Sequence, residues 1–263
     1  MKMRYGIVAL CMICLLLVAD QEQKAAARFR QQKNTNMHDP PPIAEAPPGK
    51  PRAEAAVTRV KQGMIVALAE KKLHWGDPVF LRAFKEEAQL ELYVLSRETR
   101  RFELFRSYRI ARQSGALGPK LQEGDGQVPE GFYTAGKSSM KPDSRYHLAI
   151  NCGYPNAFDR ANGRTGSYIM IHGNEVSIGC LAMTDTKIEE IYSLCDAALD
   201  NGQSFFCIHL FPFRMSSDRM QRAVNEQSFA FWNNLKEGYD IFEKKGTPAK
   251  ATVFNKKYVF EEP

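Results

Sequence analysis

The sequence has no long unbroken apolar run, no block of like charges and no internal repeat. Its longest apolar stretch, residues 5–19, is shorter than the roughly 20 residues that a membrane-spanning helix needs. The formal charge of +6 comes from lysines and arginines scattered along the chain, without a basic stripe that carries interleaved aromatics. The sequence therefore gives no indication of a nucleic-acid partner.

Metal-binding spacings are also missing. The cysteines and histidines form no zinc-finger pattern, so neither a metal nor any other cofactor is predicted. Cys195 lies on the apolar face of a predicted helix and Cys207 lies in a predicted strand, so both are expected to pack in the core. Cys152 follows a strand and is either a bystander or a disulfide partner, because irregular spacing establishes no pairing.

The N-terminus predicts export. A short basic segment precedes the apolar stretch, so residues 1–27 are either a cleaved signal peptide or an uncleaved anchor in the inner membrane. Either alternative places the rest of the chain in the periplasm. Residues 28–54 are polar and rich in proline and cannot bury enough apolar surface to fold, which predicts a disordered linker.

The remaining pattern predicts a folded α+β protein. Apolar residues at three- and four-residue spacing predict a leading helix within residues 55–78. Alternating strand patterns dominate residues 79–211, which we expect to form a sandwich or open barrel with peripheral helices. Residues 212–263 are expected to be an extension that packs back on this domain. Two long glycine-rich loops, residues 115–131 and 153–166, are the expected rims of a site.

One histidine and one cysteine carry the chemical signal. His172 ends a predicted strand and Cys180 follows after a short connection, so the two side chains can meet. An imidazole that takes the thiol proton produces a nucleophile for acyl transfer. Gly179 permits a tight backbone turn, and the peptide N–H groups of Gly179 and Cys180 could then face a developing oxyanion.

The alternative for this pair is a buried, inert cysteine beside a structural histidine. His147 and His209 lie in strand patterns and are expected to be structural. Arg160 and Arg164 belong to the second glycine-rich loop, where they are either solvated or bound to substrate.

The segment His172-Gly-x-x-x-Ser177-x-Gly179-Cys180 resembles the catalytic motif of the L,D-transpeptidase (YkuD-type) family. Residues 129–132 (PEGF) resemble a hairpin of that family, and LGPKLQEGDGQVPEGFY, GYPNAFDRANGRTGSYIMIHG and SIGCLAM are similar to its YafK-type subgroup. The resemblance implies an L,D-transpeptidase-like fold. It also implies action on peptidoglycan stem peptides and, for the subgroup, hydrolysis of the amide that joins murein to its bound lipoprotein.

The resemblance also implies roles for single residues. Cys180 would be the nucleophile, His172 the general base and then acid, and Gly173 the carbonyl that orients the ring. The residues in matching segments that would contact substrate are Tyr154, Arg160, Arg164 and Ser177.

One position departs from the family pattern. Typical members carry Arg or Asn two residues after the cysteine to help position substrate, whereas this chain has Ala182. The departure favours hydrolysis over cross-linking. Three hypotheses remain: an amide hydrolase, a transpeptidase that uses the same thioester, and a murein-binding protein without turnover.

Overall fold

The computed structural model describes residues 49–263, so the predicted signal or anchor segment and nearly all of the predicted linker lie outside the described residues. The described part contains five α-helices: α1 (Lys50–Ala69), α2 (Ala157–Ala161), α3 (Asp185–Asp200), α4 (Ser217–Arg222) and α5 (Phe229–Lys245). It contains eleven β-strands: β1 (Val79–Phe84), β2 (Gln89–Leu95), β3 (Phe102–Arg109), β4 (Gly131–Gly136), β5 (Met140–Lys141), β6 (Ala149–Asn151), β7 (Met170–His172), β8 (Leu181–Ala182), β9 (Phe205–Phe211), β10 (Lys250–Phe254) and β11 (Lys257–Glu261).

The larger sheet has the strand order β3-β2-β1-β9-β4. Neighbouring strands are antiparallel except β1 and β9, which run parallel because α3 and the whole smaller sheet lie between them in the chain. Every residue of β1 is buried. Leu81 and Ala83 face the main core, whereas Phe80 and Phe84 face aromatic clusters on the other side. Both faces of this sheet are therefore covered.

The smaller sheet has the order β5-β6-β7-β8 and carries the predicted site. Ile150, Ile171 and Leu181 are opposite one another on three adjacent strands and are fully buried in the main core. Because side chains alternate between faces, the residues between them project to the opposite face of this sheet.

Helix α1 begins at Lys50, upstream of the predicted start at residue 55, and ends at Ala69 rather than near residue 78. Pro51 suits the first turn of a helix, where its missing N–H costs nothing. Helix α1 packs on α3 and buries Ala56, Met64 and Leu68.

The C-terminal residues form α4, α5 and the β10–β11 hairpin. Trp232, Leu235 and Tyr258 are buried in one cluster with Phe132 of β4 and Phe158 of α2. The predicted α+β class with peripheral helices is confirmed, and the described residues form separate open sheets rather than a closed barrel. Within residues 49–263, no helix is long and apolar enough to span a bilayer.

Candidate active site

Strand pairing brings the backbones of His172 and Cys180 close together in the smaller sheet. β7 and β8 are parallel, with Ile171 opposite Leu181 and His172 opposite Ala182. Residues opposite one another share a face, and so do residues two apart along a strand. His172 and Ala182 therefore share a face, and Cys180 directly precedes β8, two residues before Ala182. Regular strand spacing from Ala182 would put the Cα atoms of His172 and Cys180 about 8 Å apart.

The His172 ring is held in one tautomer. Its Nδ1 lies 2.6 Å from the carbonyl oxygen of Gly173, which accepts a hydrogen bond and so leaves Nε2 free to accept a proton. The Tyr146 ring lies against it at 4.7 Å between centroids. Burial lowers the pKa of His172, and the hydrogen bond to Gly173 opposes this shift only in part. The imidazole is therefore a neutral base at neutral pH.

Gly173 fits a narrow space. A Cβ at this position would lie 2.6 Å from Oδ1 of Asp185, 2.8 Å from the carbonyl oxygen of Tyr146 and 3.0 Å from Cβ of His147. The Gly173 N–H donates to the Leu148 carbonyl at 3.0 Å. Only glycine fits without displacing this wall, so the carbonyl that orients His172 is fixed in place.

The Cys180 thiol is half-buried. Its Sγ lies 3.6 Å from the carbonyl oxygen of Tyr168, and among the described residues no hydrogen bond joins it to His172. Burial raises the pKa of the thiol, against the opposing effects of the Met170 backbone and the Lys120 charge. Both shifts favour the uncharged form, the thiol for Cys180 and the neutral imidazole for His172.

Two hydroxyl groups hold the cysteine loop. Ser177 Oγ accepts from the Cys180 N–H at 3.0 Å and donates to the Cys180 carbonyl at 2.7 Å. Ser114 Oγ accepts from the Gly179 N–H at 2.6 Å and donates to the Gly126 carbonyl at 2.7 Å. Both N–H groups predicted to face an oxyanion therefore bind serine hydroxyls in this conformation, and Ser177 itself closes the turn.

The other predicted substrate contacts hold the loop of residues 153–166. Tyr154 is buried, and its hydroxyl donates to the carbonyls of Lys120 and Thr165. Arg164 pairs with the buried carboxylate of Asp159 at 2.9 Å, and its guanidinium packs on aromatic rings. Arg160 is exposed and donates to the Pro155 carbonyl. These side chains lie in the loop around the site, and each of them makes polar contacts within the protein.

Sequence reasoning missed several residues beside the cysteine. Lys120 is buried and pairs with Asp125 at 2.5 Å. Asp125 is partly buried, which raises its pKa, but Lys120 and three backbone N–H groups outweigh this and lower it to about 2. Ser114 was unremarkable in sequence because its partner, Gly179, is distant along the chain. The exposed Tyr168 has a φ of 55°, a strained value for an aromatic residue, and no sequence pattern signalled it.

Residues 144–149 form a wall that packs behind His172. Helix α1 is hydrogen-bonded to this wall. Nη1 of Arg52 donates to the carbonyls of Ser144 and His147, each at 2.6 Å. Glu189 of α3 accepts from the His147 ring at 2.7 Å and pairs with Arg59 of α1. Glu189 thus links α1 and α3 to residues 144–149.

Cys152, Cys180, Cys195 and Cys207 are all free thiols. Within residues 49–263, no group of three or more His, Cys, Asp or Glu side chains is arranged to hold a metal ion.

Known proteins provide an independent comparison. YafK of Escherichia coli K12, whose name places it among the L,D-transpeptidases, is 47% identical over 188 residues, which cover 72% of this chain and 76% of that protein. Two solved structures are more distant. The cell shape determining protein Pgp2 of Campylobacter jejuni has 18% identity and a TM-score of 0.43 and covers 73% of this chain and 80% of its own. Bd1075 of Bdellovibrio bacteriovorus has 17% identity and a TM-score of 0.37 and covers 68% and 78%.

A family model described as the L,D-transpeptidase catalytic domain (YkuD) matches residues 90–247. This match spans more than half of the chain and includes both β7 and β8. The chain therefore belongs to the L,D-transpeptidase family of the YkuD type.

Proposed function

We propose that this protein is a periplasmic enzyme that cleaves an amide bond of peptidoglycan through a thioester on Cys180. The observation that carries the proposal is the pairing of β7 with β8, which brings the backbone of the half-buried Cys180 close to that of His172, whose imidazole is oriented by Gly173. Family membership supplies the substrate class. Residues 79–211 would be the catalytic domain, residues 212–263 its extension, and residues 1–27 the export signal or membrane anchor.

Catalysis would begin when Sγ of Cys180 attacks the carbonyl of a meso-diaminopimelate-linked amide. The thiol proton passes to Nε2 of His172 during the attack, because the resting pair is neutral. The N–H groups of Gly179 and Cys180 would break their hydrogen bonds to the serine hydroxyls and donate to the oxyanion instead. Collapse of this intermediate breaks the C–N bond, and His172 returns the proton to the leaving amine. Water then attacks the thioester, His172 takes its proton, and the acid product leaves as the thiol is restored.

Position 182 supports hydrolysis over transfer. Ala182 is fully buried in β8, and its backbone is hydrogen-bonded to both neighbouring segments. No polar side chain can enter the site from this position to help place an acceptor, in contrast to the typical family pattern. We therefore propose the link between murein and its bound lipoprotein as the substrate. A transpeptidase and a murein-binding protein without turnover are the alternatives.

Mass spectrometry of lipoprotein-linked murein would separate these functions. Wild-type protein should release lipoprotein whose linking side-chain amine is free, and Cys180→Ala should release none. Cys207→Ala is the matched control, because Cys207 is a partly exposed thiol on the other sheet, and it should keep activity.

New 3-3 linked dimers in place of released lipoprotein would support transfer. An unchanged product pattern in Cys180→Ala would overturn the catalytic proposal.

A further inference from the structure

Arg112 reaches the smaller sheet from outside the predicted site segments. It forms an antiparallel bridge with Ala182. The Ala182 N–H donates to the Arg112 carbonyl at 2.9 Å, and the Arg112 N–H donates back to the Ala182 carbonyl at 3.2 Å. The Ala111 N–H reaches the same carbonyl at 2.8 Å, so two residues oppose one, as in a β-bulge. Bulges commonly re-aim a side chain beside an active site.

The bridge puts Arg112 on the same face of the sheet as His172. Ala182 is opposite His172 on one side and opposite Arg112 on the other. Since opposite residues share a face, the three form one row across the sheet, with Cys180 in the next row. Strand geometry separates the Cα atoms of Arg112 and Cys180 by about 8 Å, and an extended arginine side chain covers most of that distance.

The guanidinium of Arg112 has no partner in the described part of the protein. Arg112 is exposed, and within residues 49–263 its side chain makes no hydrogen bond or ion pair. Other arginines near the site are occupied: Arg59 pairs with Glu189 and Arg164 with Asp159. Arg112 is thus an exposed, uncommitted cation whose backbone is paired with the residue two positions after Cys180.

We propose that Arg112 binds a free carboxylate of the stem peptide and so replaces the polar residue that typical family members carry at position 182. This inference rests on the proposed function and names the anchor of its substrate. A planar guanidinium binds a carboxylate through two parallel hydrogen bonds, which fixes orientation as well as affinity. The bound carboxylate would hold the neighbouring amide carbonyl in line with Sγ.

Two carboxylates of the stem peptide have this chemistry: the free carboxylate of meso-diaminopimelate and the α-carboxylate of the preceding glutamate. The test therefore uses three peptides, one with both acids and two in which one acid is a carboxamide. Arg112→Gln and Arg112→Lys are compared with Arg109→Gln, which removes an exposed arginine just upstream. Binding is followed by NMR titration in a Cys180→Ala background, and kcat/KM is measured with active protein.

We expect Arg112→Gln to weaken binding of the diacid about 10- to 100-fold, the usual worth of a charge-assisted hydrogen bond. Arg112→Lys should restore part of it, and Arg109→Gln should change nothing. The amidated peptide that has lost the anchoring acid should bind wild type and Arg112→Gln equally.

Equal losses in Arg112→Gln and Arg109→Gln, or equal binding of acid and amide peptides by wild type, would overturn the inference. Because binding is read without turnover, a protein that binds the acid through Arg112 but cleaves nothing would contradict only the proposed function.

Discussion

At the scale of single residues, the site is organised around a histidine that cannot easily become charged. His172 is 2% exposed. Its ring packs on Tyr146, and Nδ1 donates a hydrogen bond to the Gly173 carbonyl. Burial away from water destabilises the protonated, charged ring but not the neutral ring. In the proposed mechanism the ring would therefore accept a proton only when the thiol attacks, so that proton transfer would belong to the chemical step.

The neutral pair predicts how the Cys180 thiol reacts with pH. Burial raises its pKa above the ordinary 9.0, and burial lowers that of His172 below 6.5. Alkylation of Cys180 by iodoacetamide should therefore keep rising as pH passes 9.0. The kcat/KM for the natural substrate should fall only at a pH below 6.5, where the imidazole becomes protonated.

Peptide mass mapping separates Cys180 from Cys207, whose pKa burial raises to about 11. An alkylation rate that is already maximal near neutral pH would instead indicate a thiolate–imidazolium pair.

At the scale of elements, the sequence showed those features whose signal is local. His172 and Cys180 lie in one short segment, and glycine-rich composition marked both loops. Strand β6 begins only at Ala149, because His147 has a φ of 67° and departs from the sheet. This departure places Tyr146 against the His172 ring.

Contacts between distant segments left no such signal. The bridge of Arg112 to Ala182 and the hydrogen bond of Ser114 to Gly179 depend on pairing that a single sequence does not show. The β10–β11 hairpin turns at Asn255 and Lys256, both with positive φ. Glycine is usual at the second position of such a turn, and because this chain has Lys256 there, the sequence gave no clear turn signal.

Helix α1 precedes the matched family region yet holds the wall behind His172, which gives a prediction. Arg52→Ala removes two hydrogen bonds from a guanidinium to the carbonyls of Ser144 and His147. We expect a loss of about 2 kcal/mol in unfolding free energy and faster amide exchange in residues 144–149. The kcat should fall more than KM rises, because the base and not the substrate is displaced.

Gln62→Ala, an exposed change on the same helix, is the control. If amide exchange in residues 144–149 were equal in Arg52→Ala and Gln62→Ala, the wall would not depend on its hydrogen bonds to α1.

At the scale of the whole molecule, one buried carboxylate joins three parts of the fold. Glu130 pairs at 3.0 Å with Lys85, which directly follows β1, and accepts from the Gly118 N–H at 2.8 Å. Its other oxygen accepts from Nε1 of Trp232 in α5 at 2.7 Å. The larger sheet, the loop of residues 115–131 and the C-terminal extension therefore depend on one side chain.

Glu130→Gln should destabilise the whole protein. Lys85 would keep its buried ammonium without a counter-charge, and burial already lowers the pKa of this lysine. Loss of one partner of a buried ion pair costs about 3 kcal/mol, so the urea midpoint should drop with an unchanged slope. Glu123→Gln, an exposed change in the same loop, should leave the midpoint in place. Equal midpoints for the two variants would contradict this role of Glu130.

The bond between Trp232 and Glu130 also equips the protein with an optical reporter. The sequence has only two tryptophans, and the indole of Trp232 touches a charged group that holds the loop beside the active site. Replacing Trp75 with phenylalanine would leave one emitter, whose fluorescence follows that loop in real time as ligands arrive and leave, without any attached dye.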